Sequence, residues 1–291
     1  MDFRQFDDAR EFCALAEELL LRSEAENGLL LGIAERLAEQ SGVDWAESCC
    51  LPLLCGVEKG GRLIAAAVMT PPHRLIVTPM SAEAAGALAR GLHDRQIGVP
   101  GVVGPGDAPG RFAEAWSTLI GQPASPGRSL REYWTDRVDL SAASAPGRFQ
   151  AATMGDSDLV LRWTAAFWCE VGEQTPGQPQ TMRRRILQRQ VFLWMNPGPV
   201  CMANFTGPTP NGIRIGIVYT PPERRRHGYA TALTAALTGH LLKCGFRYCI
   251  LFADLADATS NNIYPKIGYR PLCDYVELNF PRAAWTMVAR A

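Results

Sequence analysis

A loop with two arginines and one glycine stands between two apolar segments in the second half of the chain. The loop reads RRHGYA at 225–230, with an alternating apolar segment before it at 213–219 and a helix-like segment after it at 228–243. The first N–H groups of a helix lack intrahelical partners and lie at the positive end of the helix dipole. A glycine at the entry lets a phosphate approach these amides, and arginines add charge-assisted hydrogen bonds. The segment therefore predicts a site for a diphosphate.

Two common phosphate-binding motifs do not fit this loop. A P-loop ends in Gly-Lys-Ser or Gly-Lys-Thr, which is absent, and the dinucleotide fingerprint needs three glycines where this loop has one. The loop has the pattern R-x-x-G-x-A, and NNIYPKIGY at 261–269 has the pattern N-x-x-Y-x-K-x-G-Y. In this order the two motifs resemble those of the GNAT acetyltransferases. The resemblance covers roughly 150–280 and is specific over 213–280.

The resemblance implies that acyl-CoA binds between two splayed parallel strands, 213–219 and 248–254. One N–H group of the first strand is then placed to polarise the thioester carbonyl. Main-chain contacts to pantetheine are expected from Ile217, Val218, Tyr219 and Thr220. Further cofactor contacts are expected from Arg225, Arg226, His227, Gly228, Tyr229, Ala230, Thr231, Asn261, Tyr264 and Lys266. The family usually has glycine where Arg226 stands, so an extra guanidinium is available to the phosphates.

Catalysis needs a proton for the departing thiolate and a base for the acceptor amine. Tyr264 matches the family's proton donor, although a phenol with pKa near 10 is a weaker acid than a thiol near 8.5. The other interpretation of Tyr264 is a core aromatic on a short helix. No carboxylate lies on 213–219, so Asp254 and Glu170 are the candidate bases, although a structural or solvated role is the favoured interpretation of each.

Composition narrows the classes of partner. Among 291 residues, 29 Lys and Arg balance 29 Asp and Glu, which argues against a nucleic acid or a membrane surface as partner. No stretch reaches the roughly 18 apolar residues of a membrane span. The chain has nine cysteines without a C-x-x-C pair and four histidines without ligand spacing. These features predict reduced thiols in a cytoplasmic protein without a metal site.

The order of strand-like and helix-like segments predicts an α/β (α+β) chain of two domains, 1–128 and 129–291. The Pro- and Gly-containing segment ASPGRSLR, 124–131, is the expected break between them. The second domain is expected to be a GNAT-like mixed central sheet flanked by helices. The first is an α/β domain whose strands over 53–78 fit a degenerate GNAT-like fold, with a helix over 82–94.

One short repeat links the two halves of the sequence. VMTPPHR at 68–74 matches VYTPPER at 218–224 in five of seven residues. The first copy is followed by a strand-like segment and lacks R-x-x-G-x-A. The match is therefore either a Pro-Pro turn by chance or the relic of a duplication that has lost cofactor binding.

Two functions of different classes follow from these features. The first is transfer of an acetyl or other short acyl group from acetyl-CoA, or another acyl-CoA, to a primary amine. The acceptor is a small molecule or peptide that attacks directly in a ternary complex. The second is an acyl-CoA sensor without turnover. The missing carboxylate on the first strand favours the sensor, and Tyr264 favours the enzyme.

Overall fold

The computed structural model describes residues 1–39, 51–172 and 179–281. These residues form two compact units. The first unit comprises Met1–Glu132, Asp254–Ala256 and the described chain from Leu272 onward, and the second comprises Tyr133–Ala253 and Asp257–Pro271. The first unit thus includes most of the last strand, which the predicted boundary assigns to the second domain.

The first unit begins with five strands and four helices in its described residues. They are β1 Asp2–Phe6, α1 Ala9–Leu21, α2 Gly28–Glu39, β2 Leu53–Lys59, β3 Arg62–Met69, β4 Leu75–Val77, α3 Ala82–Asp94, β5 Gly101–Pro105 and α4 Ala108–Ile120. Strand β6, Ser125–Thr135, then runs from the first unit into the second. The remaining elements are β7 Arg148–Ala151, α5 Ser157–Glu170, α6 Pro179–Leu187, β8 Val191–Met195, β9 Pro199–Thr206, β10 Gly212–Tyr219, α7 Tyr229–Lys243, β11 Tyr248–Asp254, α8 Ala258–Lys266 and β12 Arg270–Asn279.

The two units repeat one order of elements and one pattern of strand pairing. In each, a strand and two helices are followed by three strands, a helix, a strand and a helix. The strand order is β1-β2-β3-β4-β5 in the first unit and β7-β8-β9-β10-β11 in the second. Neighbours are antiparallel except the last pair of each unit, β4 with β5 and β10 with β11, which is parallel. The predicted α/β class and mixed sheet are confirmed, whereas the short strands β1 and β7 are not predicted from the sequence.

Alanine-rich helices close the core of the first unit. Helix α3 spans Ala82–Asp94 as predicted, because the Ser81 hydroxyl accepts a hydrogen bond from Ala84 N at 3.2 Å and begins the helix. Its small buried residues let α4 approach closely. On α4, Phe112 and Trp116 stack at 5.9 Å between ring centroids and fill the core beside β5.

Helix α7 is the central helix of the second unit. Its buried residues are Tyr229, Ala232, Leu233, Thr234, Ala235, Leu237, Thr238 and Leu241. A helix that is apolar on most of its circumference must be covered on most of its surface. The buried Thr238 hydroxyl forms a hydrogen bond with the Tyr269 hydroxyl at 2.9 Å, so this polar group has a partner within the core.

Residues 125–131 of the expected break belong to strand β6, and the two units divide between Glu132 and Tyr133. Gly127 of β6 lies so close to β12 that a Cβ atom there would be 2.7 Å from Cβ of Glu277. Arg128 also donates two side-chain hydrogen bonds, 3.1 and 2.8 Å long, to the buried Glu277 carboxylate. Glycine marks a close approach of two strands here. The partner lies far away in the sequence, so local composition could not reveal it.

The two Pro-Pro segments occupy different places in the repeated order. VMTPPHR, 68–74, connects β3 with β4, whereas VYTPPER, 218–224, leaves β10 toward α7. The first-unit connection equivalent to the latter is the one between β4 and α3, residues 78–81. The match is therefore a turn that arose by chance and not the relic of a cofactor loop.

Candidate active site

The parallel strands β10 and β11 separate partway along their length. The pairing begins at Gly212 with Tyr248 and ends at Arg214 with Ile250. Both strands are described completely, and they do not pair at any later position. The predicted splay is therefore present. Because both strands run in the same direction, the elements after them, the loop 220–228 and α8, lie at the same edge of the sheet.

A β-bulge deforms β10 at the opening. Gly216 pairs with Asn204 and Tyr219 with Met202, so Ile217 and Val218 together oppose the single residue between. Ile217 has φ of 45°, a left-handed conformation that a β-branched residue rarely adopts. The bulge leaves Ile217 and Val218 without a pairing partner of their own on β9, and both residues are partly exposed. Strain of this kind is typical of ligand-binding positions.

The loop between β10 and α7 has two left-handed residues. A 3-10 turn over Pro222–Arg224 is followed by Arg226 with φ of 64° and Gly228 with φ of 78°. Arg226 therefore keeps a conformation that favours glycine, the residue that the GNAT motif usually has there. Gly228 caps α7 without a side chain, so the first amides of the helix stay exposed to a ligand.

Arg225 is fixed by groups of the second unit. Its Nε donates to the carbonyl oxygen of Thr220 at 2.9 Å, and one terminal nitrogen lies 2.7 Å from each carboxylate oxygen of Glu170. Both side chains are 44% exposed. Arg225 thus occupies the Thr220 carbonyl, which is expected from the sequence to face pantetheine. Its contact with Glu170 pairs a predicted phosphate ligand with a predicted base. The separation of 55 residues hides this pair from motif reasoning.

Two aromatic rings brace the loop. The rings of His227 and Tyr229 stack at 5.5 Å with an interplanar angle of 11°. Nδ1 of His227 donates to the carbonyl oxygen of Arg225 at 2.6 Å, and the hydroxyl of buried Tyr229 accepts from Asn196 Nδ2 at 2.8 Å. Asn196 belongs to no motif in the sequence and was not predicted. Ala230 and Thr231 follow on the first turn of α7 and are partly exposed.

Tyr264 lies in the interior of the second unit. It is 6% exposed, and its ring lies 5.9 Å from that of Tyr133 and 6.0 Å from that of Tyr269. Burial raises the pKa of Tyr264 above its ordinary value of 10.0, and a side-chain hydrogen bond with Ser260 opposes that shift. The hydroxyl therefore stays protonated at neutral pH, as a proton donor must.

A buried thiol occurs beside this site. Cys201 of β9 accepts a hydrogen bond from the Thr220 hydroxyl at 3.2 Å. It is also among the groups whose proximity raises the pKa of Tyr264. Burial raises the pKa of Cys201 to about 12. The thiol is therefore neutral and unreactive at physiological pH and has no role as a nucleophile.

The other predicted site residues have different settings. The Asn261 amide is engaged by the protein: its Oδ1 accepts from the Tyr133 hydroxyl at 3.0 Å, and its Nδ2 donates to the main-chain oxygen of Asp257 at 2.8 Å. Lys266 is exposed at the end of α8. Asp254 is grouped with the first unit, and its carboxylate accepts from Ala256 N at 2.9 Å.

The described residues contain no helix long and apolar enough to cross a membrane. The same residues contain no group of three or more His, Cys, Asp or Glu side chains that could hold a metal ion.

Comparison with known proteins identifies the architecture. Residues 208–277 match a family described as FR47-like protein, and this range includes β10, the Gly228 loop and α8. The structure of a GCN5-related N-acetyltransferase from Sphaerobacter thermophilus aligns with a TM-score of 0.60 at 18% identity, covering 96% of this chain and 95% of that one. The chain has the GNAT fold.

The GNAT fold occurs here in a tandem arrangement. A tandem GNAT protein from the clavulanic acid biosynthesis pathway aligns with a TM-score of 0.54 at 13% identity, covering 96% of this chain and 98% of that one. An X-ray structure of a Drosophila protein aligns with a TM-score of 0.66 at 11% identity, covering 96% and 98%. No curated sequence is similar enough to count as a relative. The structural alignments establish the fold. At identities this low they do not establish the activity, which depends on the site residues.

Proposed function

We propose that this protein transfers an acetyl or other short acyl group from acyl-CoA to a primary amine. The observation that carries the proposal is the opening between β10 and β11, which begins after the last pair of the two strands, Arg214 with Ile250. The bulge at Ile217, the glycine loop at Gly228 and the helix that bears Tyr264 all belong to the edge of the sheet at which this opening lies. A thioester, a diphosphate and a proton donor require these three kinds of group together.

Different groups of this chain are suited to bind different parts of acyl-CoA. Main-chain groups at the bulge are suited to the amides of pantetheine and, through one N–H, to the thioester carbonyl. The exposed amides at the start of α7 are suited to the diphosphate, with Gly228 giving access and Arg226 adding charge. Arg225 supports the loop through its contacts with Thr220 and Glu170.

The reaction that these groups support is direct attack by an amine on the thioester carbonyl. The C–N bond forms as the C–S bond breaks, and the nitrogen gives one proton to the solvent as the amide forms. Tyr264 donates its hydroxyl proton, or a hydrogen bond, to the departing sulfur, and any proton it gives is replaced from the solvent. The carboxylate of Glu170 already shares both oxygens with Arg225. We therefore assign Glu170 a structural role and propose that the amine binds after losing its proton to the solvent.

The first unit is proposed to bind no acyl-CoA in the manner of the second. Its connection from β4 to α3 is only residues 78–81, and the Ser81 side chain already caps the helix that follows. A capped helix end without a glycine gives a diphosphate no access to the amides. One acyl-CoA per chain follows from this difference.

Release of free thiol from acetyl-CoA, measured across a panel of primary amines, tests the proposal. We expect amine-dependent release that saturates with at least one small-molecule or peptide amine. An acyl-CoA sensor would instead be stabilised against thermal unfolding by CoA, with no amine-dependent release. ATP and NADH serve as controls in the thermal experiment, because equal stabilisation by all three would contradict the assignment of acyl-CoA.

A further inference from the structure

The β-bulge turns the side chains at the end of β10 to the other face of the sheet. Ile213 and Ile215 pack in one core cluster with α7. In a regular strand Ile217 and Tyr219 would point to the same face, because side chains alternate. They pack instead in the cluster that contains residues of α5 and α6. The extra residue of the bulge accounts for the change, so the last residues of β10 face α5.

Aromatic residues of α5 lie beside this end of β10. Trp163, Phe167 and Glu170 follow at spacings of four and three residues, which places them on one side of the helix. The rings of Trp163 and Tyr219 lie 6.2 Å apart between centroids, at an angle of 55°. Trp163, Phe167 and Ile217 all pack against the same cluster and stay partly exposed. These three residues form an apolar surface that includes the bulge of the candidate site.

The two faces of the sheet have different neighbours in the proposed complex. The diphosphate of acyl-CoA is proposed to bind at the start of α7, which packs on the face of Ile213 and Ile215. The nucleotide end of the cofactor adjoins its diphosphate and occupies that side. An amine that approaches a thioester at Ile217 from the opposite face, that of α5, meets the apolar surface.

The carboxylate at the end of this side of α5 is already paired. Both oxygens of Glu170 lie 2.7 Å from one nitrogen of Arg225. The guanidinium carbon of Arg225 in turn lies 5.9 Å from the centre of the Tyr219 ring. An acceptor with a second positive charge needs a counter-charge when it leaves water, and this carboxylate is neutralised. An aromatic ring is suited to the rings of Trp163 and Phe167.

We propose that Trp163, Phe167 and Ile217 bind the body of the acceptor, and that the acceptor is an arylalkylamine, a primary amine joined to an aromatic ring by a short chain. The inference rests on the proposed function and names the class of its second substrate. The three residues determine specificity, because they contact the part of the amine that does not react and thereby position the nitrogen at the thioester.

The choice of amine by the wild type is the first test. Thiol release from acetyl-CoA is measured with phenethylamine, ethylamine and the diamine putrescine, which join the same reactive group to an aromatic, a minimal and a charged body. We expect kcat/KM for phenethylamine to exceed that for each of the others by about tenfold or more. Phenethyl alcohol, which has the same body without the amine, should inhibit competitively against phenethylamine, whereas ethanol should not.

Substitutions on α5 provide the second test. Trp163→Ala should lower kcat/KM for phenethylamine about tenfold. The values of kcat/KM for ethylamine and of KM for acetyl-CoA should stay within about twofold. Trp163→Phe retains a ring and should keep most of the activity with phenethylamine. Trp168→Ala is the matched control, because Trp168 is also partly exposed but lies five residues further, on a different side of the helix. It should change each constant by less than about twofold.

The outcomes separate this inference from the proposed function. An equal loss with phenethylamine and ethylamine in Trp163→Ala, or a wild type that does not prefer phenethylamine, would overturn the arylalkylamine assignment while acyl transfer stands. Absence of thiol release with every amine, with CoA still binding, would overturn both. Circular dichroism and the melting temperature establish that each variant is folded. If Trp163→Ala does not fold, inhibition of the wild type by phenethyl alcohol decides, and inhibition that is not competitive with the amine would overturn the assignment.

Discussion

One nitrogen of the Arg225 guanidinium lies 2.7 Å from each carboxylate oxygen of Glu170, and Nε of the same arginine holds the Thr220 carbonyl. The pair joins α5 to the start of the loop that leads into α7. Both residues have chemistry that suits a direct role, one as a base and the other as a phosphate ligand. Their mutual contact favours a common structural role in holding the loop.

Glu170→Gln tests this assignment. A carboxamide keeps the shape and one acceptor oxygen but cannot act as a base. Because Glu170 is assigned only a structural role, we expect kcat to stay within about threefold of wild type. Loss of a general base would lower it by roughly 10²-fold or more and remove the acidic limb of the pH–rate profile. Glu223→Gln, an exposed position in the loop that Arg225 and Glu170 hold, is the matched control for loss of one negative charge.

Gly228→Val is expected to weaken CoA binding by more than its effect on folding explains. The new side chain has space within the described protein, since its Cβ would meet only Ala145 Cβ at 3.5 Å, but it would stand over the exposed amides of α7. Calorimetric titration with CoA measures the change. The left-handed φ of 78° adds a folding cost of about 1–3 kcal/mol.

Gly121→Val is the matched control for this cost. Gly121 ends α4 with φ of 68°, and no atom of the described residues beyond its chain neighbours lies within 4 Å of the point that a Cβ atom would occupy. We expect a similar fall in melting temperature with unchanged affinity for CoA. Equal affinities of Gly228→Val and wild type would remove the phosphate loop from the proposal.

Tyr264→Phe is expected to lower kcat about tenfold or more while acetyl-CoA affinity changes little. The ring keeps its packing against Tyr133 and Tyr269, and only the hydroxyl that serves the departing sulfur is lost. Tyr269→Phe is the control, because that hydroxyl bonds with Thr238 inside the core and has no catalytic task. It should lower the free energy of unfolding by about 1 kcal/mol and leave turnover intact. Equal turnover of Tyr264→Phe and wild type would make Tyr264 a core aromatic.

Stability is expected to fall in alkaline solution because buried thiols resist ionisation. Burial raises the pKa of Cys55, Cys201 and Cys249 from 9.0 to about 12. Above about pH 9 the unfolded chain therefore binds fewer protons than the folded one, and the free energy of unfolding declines until the folded pKa is reached. Each thiol contributes up to about 1.4 kcal/mol per pH unit.

Urea unfolding under reducing conditions at several values between pH 7 and pH 11 measures this decline. Cys249→Ala should reduce the slope between pH 10 and pH 11 by the share of one group, whatever its effect on stability at pH 7. Cys244→Ala is the control, because Cys244 is exposed. An unchanged slope in Cys249→Ala would show that this thiol ionises at the same pH in both states.

The second unit is easier to predict from sequence than the first because its determinants are local. The alternation at Ile213 and Ile215, the glycine before α7 and the glycine with φ of 104° at Gly245 are each contained in a few residues. Strand β6 and the Arg225–Glu170 pair depend on partners 149 and 55 residues away, for which no periodicity or turn signal exists. The positive φ of Ile217 is likewise imposed by strand register and cannot be read from an isoleucine.

The last prediction concerns the number of acyl-CoA molecules bound by each chain. The first unit has the parallel pair β4 and β5, but Ser81 occupies the start of α3 with its own hydroxyl. Calorimetric titration with CoA should therefore give one site per chain, and Gly228→Val should weaken that site without revealing another. Ser81→Gly removes the cap, yet we expect it to create no second site, because the connection stays too short to surround a diphosphate. Two sites in the wild type, or one site that Gly228→Val leaves unaffected, would place acyl-CoA in the first unit.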